Sequence, residues 1–231
     1  MTHRKLFKMA TAVMTTAVIS GCLFSAAARA QEQATNALTA QEKADGWKLL
    51  FNGKNLDGWH SYLQQGTGKD WSVKHGEIVL NKRNTDPRPD YEDIVTNDEF
   101  ENFDFKVEWK MKPCVDSGVM FYVHESPEYK QPYSTGVEMQ IADLACTVPD
   151  SRVLMDRSGD IFDLISDHYE WVNPGGEWNQ FEIIANKGNV QLFQNGHKVI
   201  ETNLDGDQWK QLVANSKFAK MPGFGTYRKG H

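Results

Sequence analysis

Residues 135–143 read TGVEMQIAD, and this stretch decides the fold of the chain. Side chains on a β-strand point alternately to its two faces. Val137, Met139 and Ile141 therefore share one apolar face that should point into a core. Glu138 and Gln140 share the other face, where a carboxylate and an amide are unfavourable unless they meet water or a ligand. The stretch predicts a strand with a core side and a candidate site side.

Asp143 follows where this strand should end, and a local bulge would bring it onto the face of Glu138 and Gln140. Three polar groups on one sheet face form the best candidate for a site in this sequence. A structural alternative remains open, because Glu138 paired with a lysine on a solvated strand face is also a common arrangement.

The rest of the chain also favours strands. Residues 102–111 alternate strictly between apolar and charged side chains, which indicates a half-buried antiparallel strand. Gly-containing turns predict hairpins across residues 71–80, 177–193 and 189–201. Further strands are expected at 46–51 and 159–165, and only residues 207–214 look helical. This pattern predicts an all-β fold, a jelly-roll β-sandwich with one concave face and one short helix near the C-terminus.

The N-terminus looks like an export signal. Residues 1–30 combine a basic start, an uncharged apolar run and a small-residue cleavage site at Ala28-Arg29-Ala30, which predicts a signal peptide. The stretch ending in Gly21-Cys22 also resembles a bacterial lipobox, so lipidation at Cys22 is the alternative. We therefore expect a periplasmic or secreted protein, or else an outer-membrane lipoprotein with membrane contact through Cys22. Residues 31–45 are polar and predict a flexible tether.

The net charge excludes one class of partner, and the cysteine spacing excludes one kind of metal site. Residues 1–30 contain four basic and no acidic residues, so residues 31–231 carry 21 basic against 31 acidic residues, a net charge of −10. This argues against a nucleic-acid partner, which needs a basic face. Cys114 and Cys146 lack metal-site spacing, and the sequence leaves open whether they form a disulfide.

Several strings across residues 46–231 carry a resemblance to a known family. They are WKLLFNGKNLDGW from residue 47, NFDFKVEW from 102, SGV from 117, GVEMQIAD from 136, GDIFDL from 159 and GEWN from 176. Together they resemble the 3-keto-disaccharide hydrolase-like family, which implies one concanavalin-like jelly-roll domain over residues 46–231. Members of the family usually continue with a further strand and a histidine after the region of His231, so we expect the C-terminal strand to be missing here.

The resemblance implies cleavage of 3-keto-glycosides, a carbohydrate substrate and, in some members, a divalent metal. Glu138 and Asp143 are the expected catalytic residues and the expected metal ligands. Gln140, Asp163 and Trp59 are expected to bind the sugar. A non-catalytic carbohydrate-binding domain remains an alternative. A retaining glycoside hydrolase is another, but it needs two paired carboxylates, and Gln140 stands where similar glucanase strands have the second acid.

Overall fold

The structure of the protein, a computed structural model, describes residues 36–81, 93–143 and 156–231. These residues belong to one compact unit, residues 35–231. Among the residues so described, no helix has the length and apolar character needed to cross a membrane.

Ten strands dominate the described chain, with two α-helices and two 3₁₀ helices. The strands are β1 (Trp59–Ser61), β2 (Trp71–Lys74), β3 (Glu77–Leu80), β4 (Ile94–Thr96), β5 (Phe103–Trp109), β6 (Asp116–Phe121), β7 (Val137–Ala142), β8 (Asn179–Asn186), β9 (Asn189–Gln194) and β10 (His197–Asn203). The helices are α1 (Ala40–Ala44), α2 (Asp207–Ala214) and the 3₁₀ turns Pro132–Ser134 and Lys217–Lys220. The predicted helix at 207–214 is confirmed.

The strands pair as antiparallel neighbours. The largest sheet has the order β10-β9-β8-β5, and β6 pairs with β7, β1 with β4, and β2 with β3. Tight turns join β2 to β3, β8 to β9 and β9 to β10. In each of them a non-glycine residue and the following glycine both have positive φ, as at Asn195 (49°) and Gly196 (80°). Two successive positive φ values define the turn that matches the twist of a hairpin, so these three predicted hairpins are confirmed.

One hydrophobic core lies between the four-stranded sheet and the β6–β7 pair. Met139 of β7, Phe181 of β8 and Leu192 of β9 are fully buried members of the same cluster. The ring of Phe181 meets that of Trp109 edge-on at 5.0 Å between centroids. Two β-layers that bury one shared core make this an all-β sandwich, as the sequence predicted.

The burial pattern of β7 confirms its predicted core face. Val137 and Met139 are completely buried and Ile141 nearly so. Their partners on β6 are Phe121, Val119 and Ser117 in that order.

Two predicted strands did not form as expected. Residues 46–51 contain no strand, because no neighbouring strand supplies a hydrogen-bonding ladder to this described segment. Residues 159–165 contribute isolated bridges instead, one from Ile161 to Met139 and one from Ile161 to Ile165. The described part of the predicted tether contains α1, which Thr39 and Glu42 cap reciprocally.

Candidate functional site

Glu138 lies in the middle of β7, on the face opposite the core. Its strand partner is Met120 of β6, and its side chain is half-buried. Alternation along the strand places Gln140 beside it on the same face, as the sequence predicted. This shared face of β6 and β7, called the site floor below, carries Asp116, Gly118, Met120, Glu138, Gln140 and Ala142.

Gly118 makes room for the carboxylate of Glu138. Gly118 stands opposite Gln140 in the ladder. A Cβ atom added to Gly118 would lie 2.6 Å from Cγ of Glu138 and 2.7 Å from its Cδ, closer than side-chain atoms approach in real proteins. Its φ is not positive, so no backbone requirement selects glycine here. The missing side chain therefore provides the space that the carboxylate occupies.

Asp116 fixes the orientation of Gln140. The Nε2 of Gln140 donates a hydrogen bond of 2.7 Å to Oδ1 of Asp116. Gln140 is 1% exposed, so its amide has little freedom to turn. A buried amide with one fixed donor bond presents its remaining polar atoms in a defined direction.

The surroundings of Glu138 favour its neutral form. Burial, followed by the negative charges of Asp116 and Asp93, raises the pKa of Glu138 from 4.5 to about 7, and Asp156 adds to the rise. The ammonium of Lys217 acts in the opposite direction. Loss of hydration and like charges both disfavour ionisation of a carboxyl. Glu138 therefore exchanges a proton near neutral pH.

Residues 160–162 lie beside β7. Phe162 N–H donates to the carbonyl of Glu138 at 3.1 Å, and Gln140 N–H donates to the carbonyl of Asp160 at 3.0 Å. Ile161, between them, pairs with Met139 on the core side; Phe162 packs against the hydrophobic core, and Asp160 is fully buried.

Asp160 has a structural role beside the floor. Its side chain is fully buried, and burial raises its pKa from 3.8 to about 6. Its two oxygens accept hydrogen bonds from the backbone N–H of Asp167 at 2.9 Å and of Arg157 at 3.0 Å. These bonds hold the loop that carries Phe162.

The other predicted site residues lie in different surroundings. Asp143 accepts a hydrogen bond of 3.0 Å from the backbone N–H of Cys114, which directs it toward the loop before β6. Asp163 is half-buried in the turn after Phe162, with a φ of 59°. The indole N–H of Trp59 donates to the carbonyl of Leu50 at 2.7 Å, which ties the ring to the N-terminal segment. Their predicted roles toward a sugar or metal stay predictions.

The described residues offer no strong metal centre. Across residues 36–81, 93–143 and 156–231, no group of three histidine, cysteine, aspartate or glutamate side chains is placed to hold a metal ion. Asp143 accepts its hydrogen bond from the backbone N–H of Cys114, so it does not share the strand face of Glu138 as a ligand pair would. The metal stays a prediction.

Cys114 is disulfide-bonded. Cys22 and Cys146 lie outside the described residues.

The comparisons with known proteins agree with this architecture. The 3-keto-alpha-glucoside-1,2-lyase-like domain matches residues 46–230. The chain belongs to this family. The match confirms the resemblance found in the sequence, and it includes every residue of the site floor.

Three known proteins are similar to this chain. A 3-keto-disaccharide hydrolase of Bacteroides thetaiotaomicron is 29% identical over 190 residues, which are 77% of this chain and 65% of that protein. The chain thus spans about two thirds of that relative's length. A crystal structure of a candidate glycosyl hydrolase from Parabacteroides distasonis is 32% identical, with a TM-score of 0.74 over 84% of this chain and 89% of that one. A second from the same organism is 25% identical, with a TM-score of 0.55 over 80% and 87%.

Sequence reasoning missed Phe162 and Lys217. Phe162 was expected only as part of a strand, and Lys217 belongs to a short turn near the C-terminus. No local pattern marks either residue, because both reach the site floor through contacts distant in sequence. Gly118 was the one clue in the sequence: a glycine in the middle of a strand often marks a place where another group approaches closely, here the Glu138 carboxylate.

Proposed function

We propose that this chain cleaves the glycosidic bond of 3-keto-glycosides. Membership of the 3-keto-alpha-glucoside-1,2-lyase-like family supports this substrate class, as does the 3-keto-disaccharide hydrolase among its relatives. The observation that carries the proposal is the state of Glu138. It is a half-buried carboxylate with a pKa of about 7, and it occupies the space left by the missing side chain of Gly118.

Glu138 acts as the general base in this proposal. The C3 ketone acidifies the hydrogen on C2 of the sugar, and the ionised carboxylate of Glu138 takes that proton. The electron pair of the C2–H bond then forms a C1–C2 double bond as the C1–oxygen bond breaks, and the departing oxygen takes a proton. Water adds hydroxyl to C1 and hydrogen to C2, so the net reaction is hydrolysis.

The raised pKa suits this role. A general base works best when its pKa lies near the working pH, because it is then both ionised and strongly basic. A surface glutamate near 4.5 would be ionised but a much weaker base. Gln140 supports the step from beneath the surface: its buried amide holds the carboxylate of Asp116 on the face that carries Glu138.

Substrate choice tests the proposal. The protein is incubated with a 3-keto-glucoside and with the matching unoxidised glucoside, and the released aglycone is measured. We expect release from the 3-keto-glucoside alone, because the C2 hydrogen is acidic only beside the ketone. Equal turnover of the two would instead support direct displacement, as in a retaining glycoside hydrolase.

Deuterium exchange separates catalysis from mere binding. A 3-keto sugar incubated with the protein in deuterated water should gain deuterium at C2, which NMR detects. A protein that binds the sugar without any such exchange would be a non-catalytic carbohydrate-binding domain.

We also propose that the protein is exported. The basic, apolar and small-residue regions of residues 1–30 support this. N-terminal sequencing of the protein from its native cells should find Gln31 first. A lipid-modified Cys22 at the new N-terminus would indicate the lipoprotein route.

A further inference from the structure

Lys217 is held firmly at the start of its 3₁₀ turn. The preceding Ser216 caps the turn, with its Oγ accepting a hydrogen bond of 3.1 Å from the N–H of Phe218. Phe218 is buried and stacks on Phe224 with 3.9 Å between ring centroids. A capped turn with a buried aromatic anchor fixes the position from which the exposed Lys217 side chain extends.

The side chain of Lys217 reaches over Phe162. Its ammonium lies 3.5 Å from the centroid of the Phe162 ring and 5.2 Å from that of Phe218. A cation over an aromatic face is attracted by the electron-rich centre of the ring. Phe162 is the direct neighbour of Glu138, since its N–H bonds the Glu138 carbonyl. The contact therefore holds a positive charge on the residue that hydrogen-bonds the backbone of Glu138.

The position of this ammonium gives it its importance. Asp116 is a fixed negative charge on the site floor, through its hydrogen bond with Gln140, and Lys217 supplies a positive charge over the ring of Phe162. In the part of the chain that the structure describes, the recorded contacts of the Lys217 ammonium are with the two aromatic rings. An ammonium has three N–H donors, and ring contacts leave them able to bond a ligand oxygen.

Building on the proposed function, we propose that Lys217 donates a hydrogen bond to the C3 ketone oxygen of the substrate. As Glu138 takes the C2 proton, the electron pair of the C2–H bond moves toward C3 and negative charge collects on that oxygen. When the C1–oxygen bond breaks, this electron pair forms the C1–C2 double bond, and the negative charge leaves with the departing oxygen, which takes a proton. Lys217 keeps its proton throughout and stabilises the charge where it develops.

This role also explains selectivity for the oxidised sugar. A hydroxyl at C3 would develop no negative charge during the reaction, so Lys217 would have nothing to stabilise. The two residues then act together. The Lys217 ammonium polarises the C3 carbonyl, and Glu138 can remove the C2 proton only beside that polarised carbonyl.

Three variants test the assignment: Lys217→Met, Lys217→Arg and the control Lys220→Met. Lys220 ends the same turn and is exposed. Steady-state turnover of a 3-keto-glucoside gives kcat, and ¹³C NMR titration of the Glu138 carboxyl gives its pKa without any substrate. Loss of one donor to a developing oxyanion lowers kcat by about 10²- to 10³-fold.

We expect that loss for Lys217→Met, partial recovery for Lys217→Arg, and wild-type kcat for Lys220→Met. We also expect the pKa of Glu138 to rise in Lys217→Met, because the opposing positive charge is gone, and to stay unchanged in Lys220→Met. The titration reports whether the ammonium is close to Glu138, and kcat reports whether it acts on the substrate.

The outcomes separate the two proposals. Wild-type kcat in Lys217→Met overturns the role of Lys217 and leaves the proposed function intact, whether or not the pKa of Glu138 moves. Equal losses in Lys217→Met and Lys220→Met also overturn it, since they would reflect a disturbed turn. A wild-type protein that does not turn over 3-keto-glucosides overturns the proposed function, and the role of Lys217 with it.

Discussion

The position of Glu138 on its strand can be predicted from the sequence, but the pKa of its carboxyl cannot. Alternation along residues 137–142 is enough to place it opposite the core. Its pKa depends first on burial and then on the charges of Asp116, Asp93, Lys217 and Asp156, which lie on other elements. A sequence pattern of period two predicts the face of a side chain, but the charges that converge on that face depend on tertiary contacts.

The pH dependence of turnover follows from this residue. Because the base must be ionised, kcat/KM should rise with pH and level off above a midpoint near 7, the pKa of Glu138. Glu138→Gln removes the base and should lower kcat by at least about 10²-fold, with no such midpoint in what remains. Steady-state rates between pH 5 and 9 (buffers of about constant ionic strength) measure both.

The matched control for this prediction is Glu128→Gln. Glu128 is an exposed loop glutamate, so its replacement should leave the pH profile unchanged. A midpoint near 4.5 in the wild-type protein would contradict the assignment of Glu138 as base.

Gly118 gives a second prediction at a single residue. Gly118→Ala places a methyl group against Cγ and Cδ of Glu138, so the carboxylate must move or the strands must separate. Such overpacking lowers the free energy of unfolding by about 1–3 kcal/mol. Urea denaturation measures the loss, and Ser117→Ala, at the exposed neighbouring position on the opposite face, should change stability by less than about 0.5 kcal/mol.

The double variant Gly118→Ala/Glu138→Ala shows whether the clash is the cause. Removing the Glu138 carboxylate takes away the atoms that the new methyl group meets. The double variant should then be more stable than the sum of the two single changes predicts. Strict additivity would mean that Gly118 is needed for another reason.

Secondary-structure elements were predictable where local signals agreed. The alternation of β5 and the glycine turns of the β8–β9–β10 meander are encoded within a few residues each. Residues 46–51 have a strand-like composition but no strand, because a strand also needs a partner that composition does not reveal. The capped helix α1 was missed, although Thr39 and Glu42 have the spacing of a capping box.

Strand β8 lies inside the four-stranded sheet and contributes buried side chains to the core. It pairs with both β5 and β9 in the four-stranded sheet, and Phe181 on it is fully buried against Trp109. Phe181→Ala should lower the free energy of unfolding by about 3–5 kcal/mol, because it leaves a cavity as well as losing buried apolar area.

Urea denaturation of Gln180→Ala provides the control for Phe181→Ala. Gln180 is the neighbouring residue on β8 and is exposed, so its truncation should have little effect. If the two variants lost comparable free energy of unfolding, the effect would come from the backbone of the strand and not from the core packing of Phe181.

At the scale of the whole molecule, the fold class was available from the sequence but the assembly of the site was not. Short strands and glycine turns predicted the sandwich. The candidate site combines the site floor of β6 and β7 with residues 160–162 and Lys217, which are distant in sequence and come together only in the folded chain. Residues far apart in the chain cannot be matched without an alignment or a structure, so Lys217 escaped prediction.

Global stability should also depend on pH through the buried carboxyls. Glu138 and Asp160 have folded-state pKa values of about 7 and about 6, above their ordinary values of 4.5 and 3.8. A raised pKa means that the folded protein binds the proton more tightly than the unfolded chain. The stabilisation is therefore fully present below the ordinary pKa and is lost as pH rises through the folded value.

For Glu138 the loss between pH 4.5 and 8 should be about 3 kcal/mol, since each pKa unit corresponds to about 1.4 kcal/mol. Glu138→Gln keeps a neutral side chain of similar shape at every pH and so avoids this loss. Urea denaturation should show the variant close to wild type near pH 4.5 and more stable than wild type at pH 8. Because all other titrating groups are shared, the difference between the two proteins isolates Glu138; a difference that does not change with pH would show that its carboxyl is not destabilised by burial. The same residue would then limit stability at the pH where its ionised form is needed for turnover, which is the expected trade-off for a base held in a poorly hydrated site.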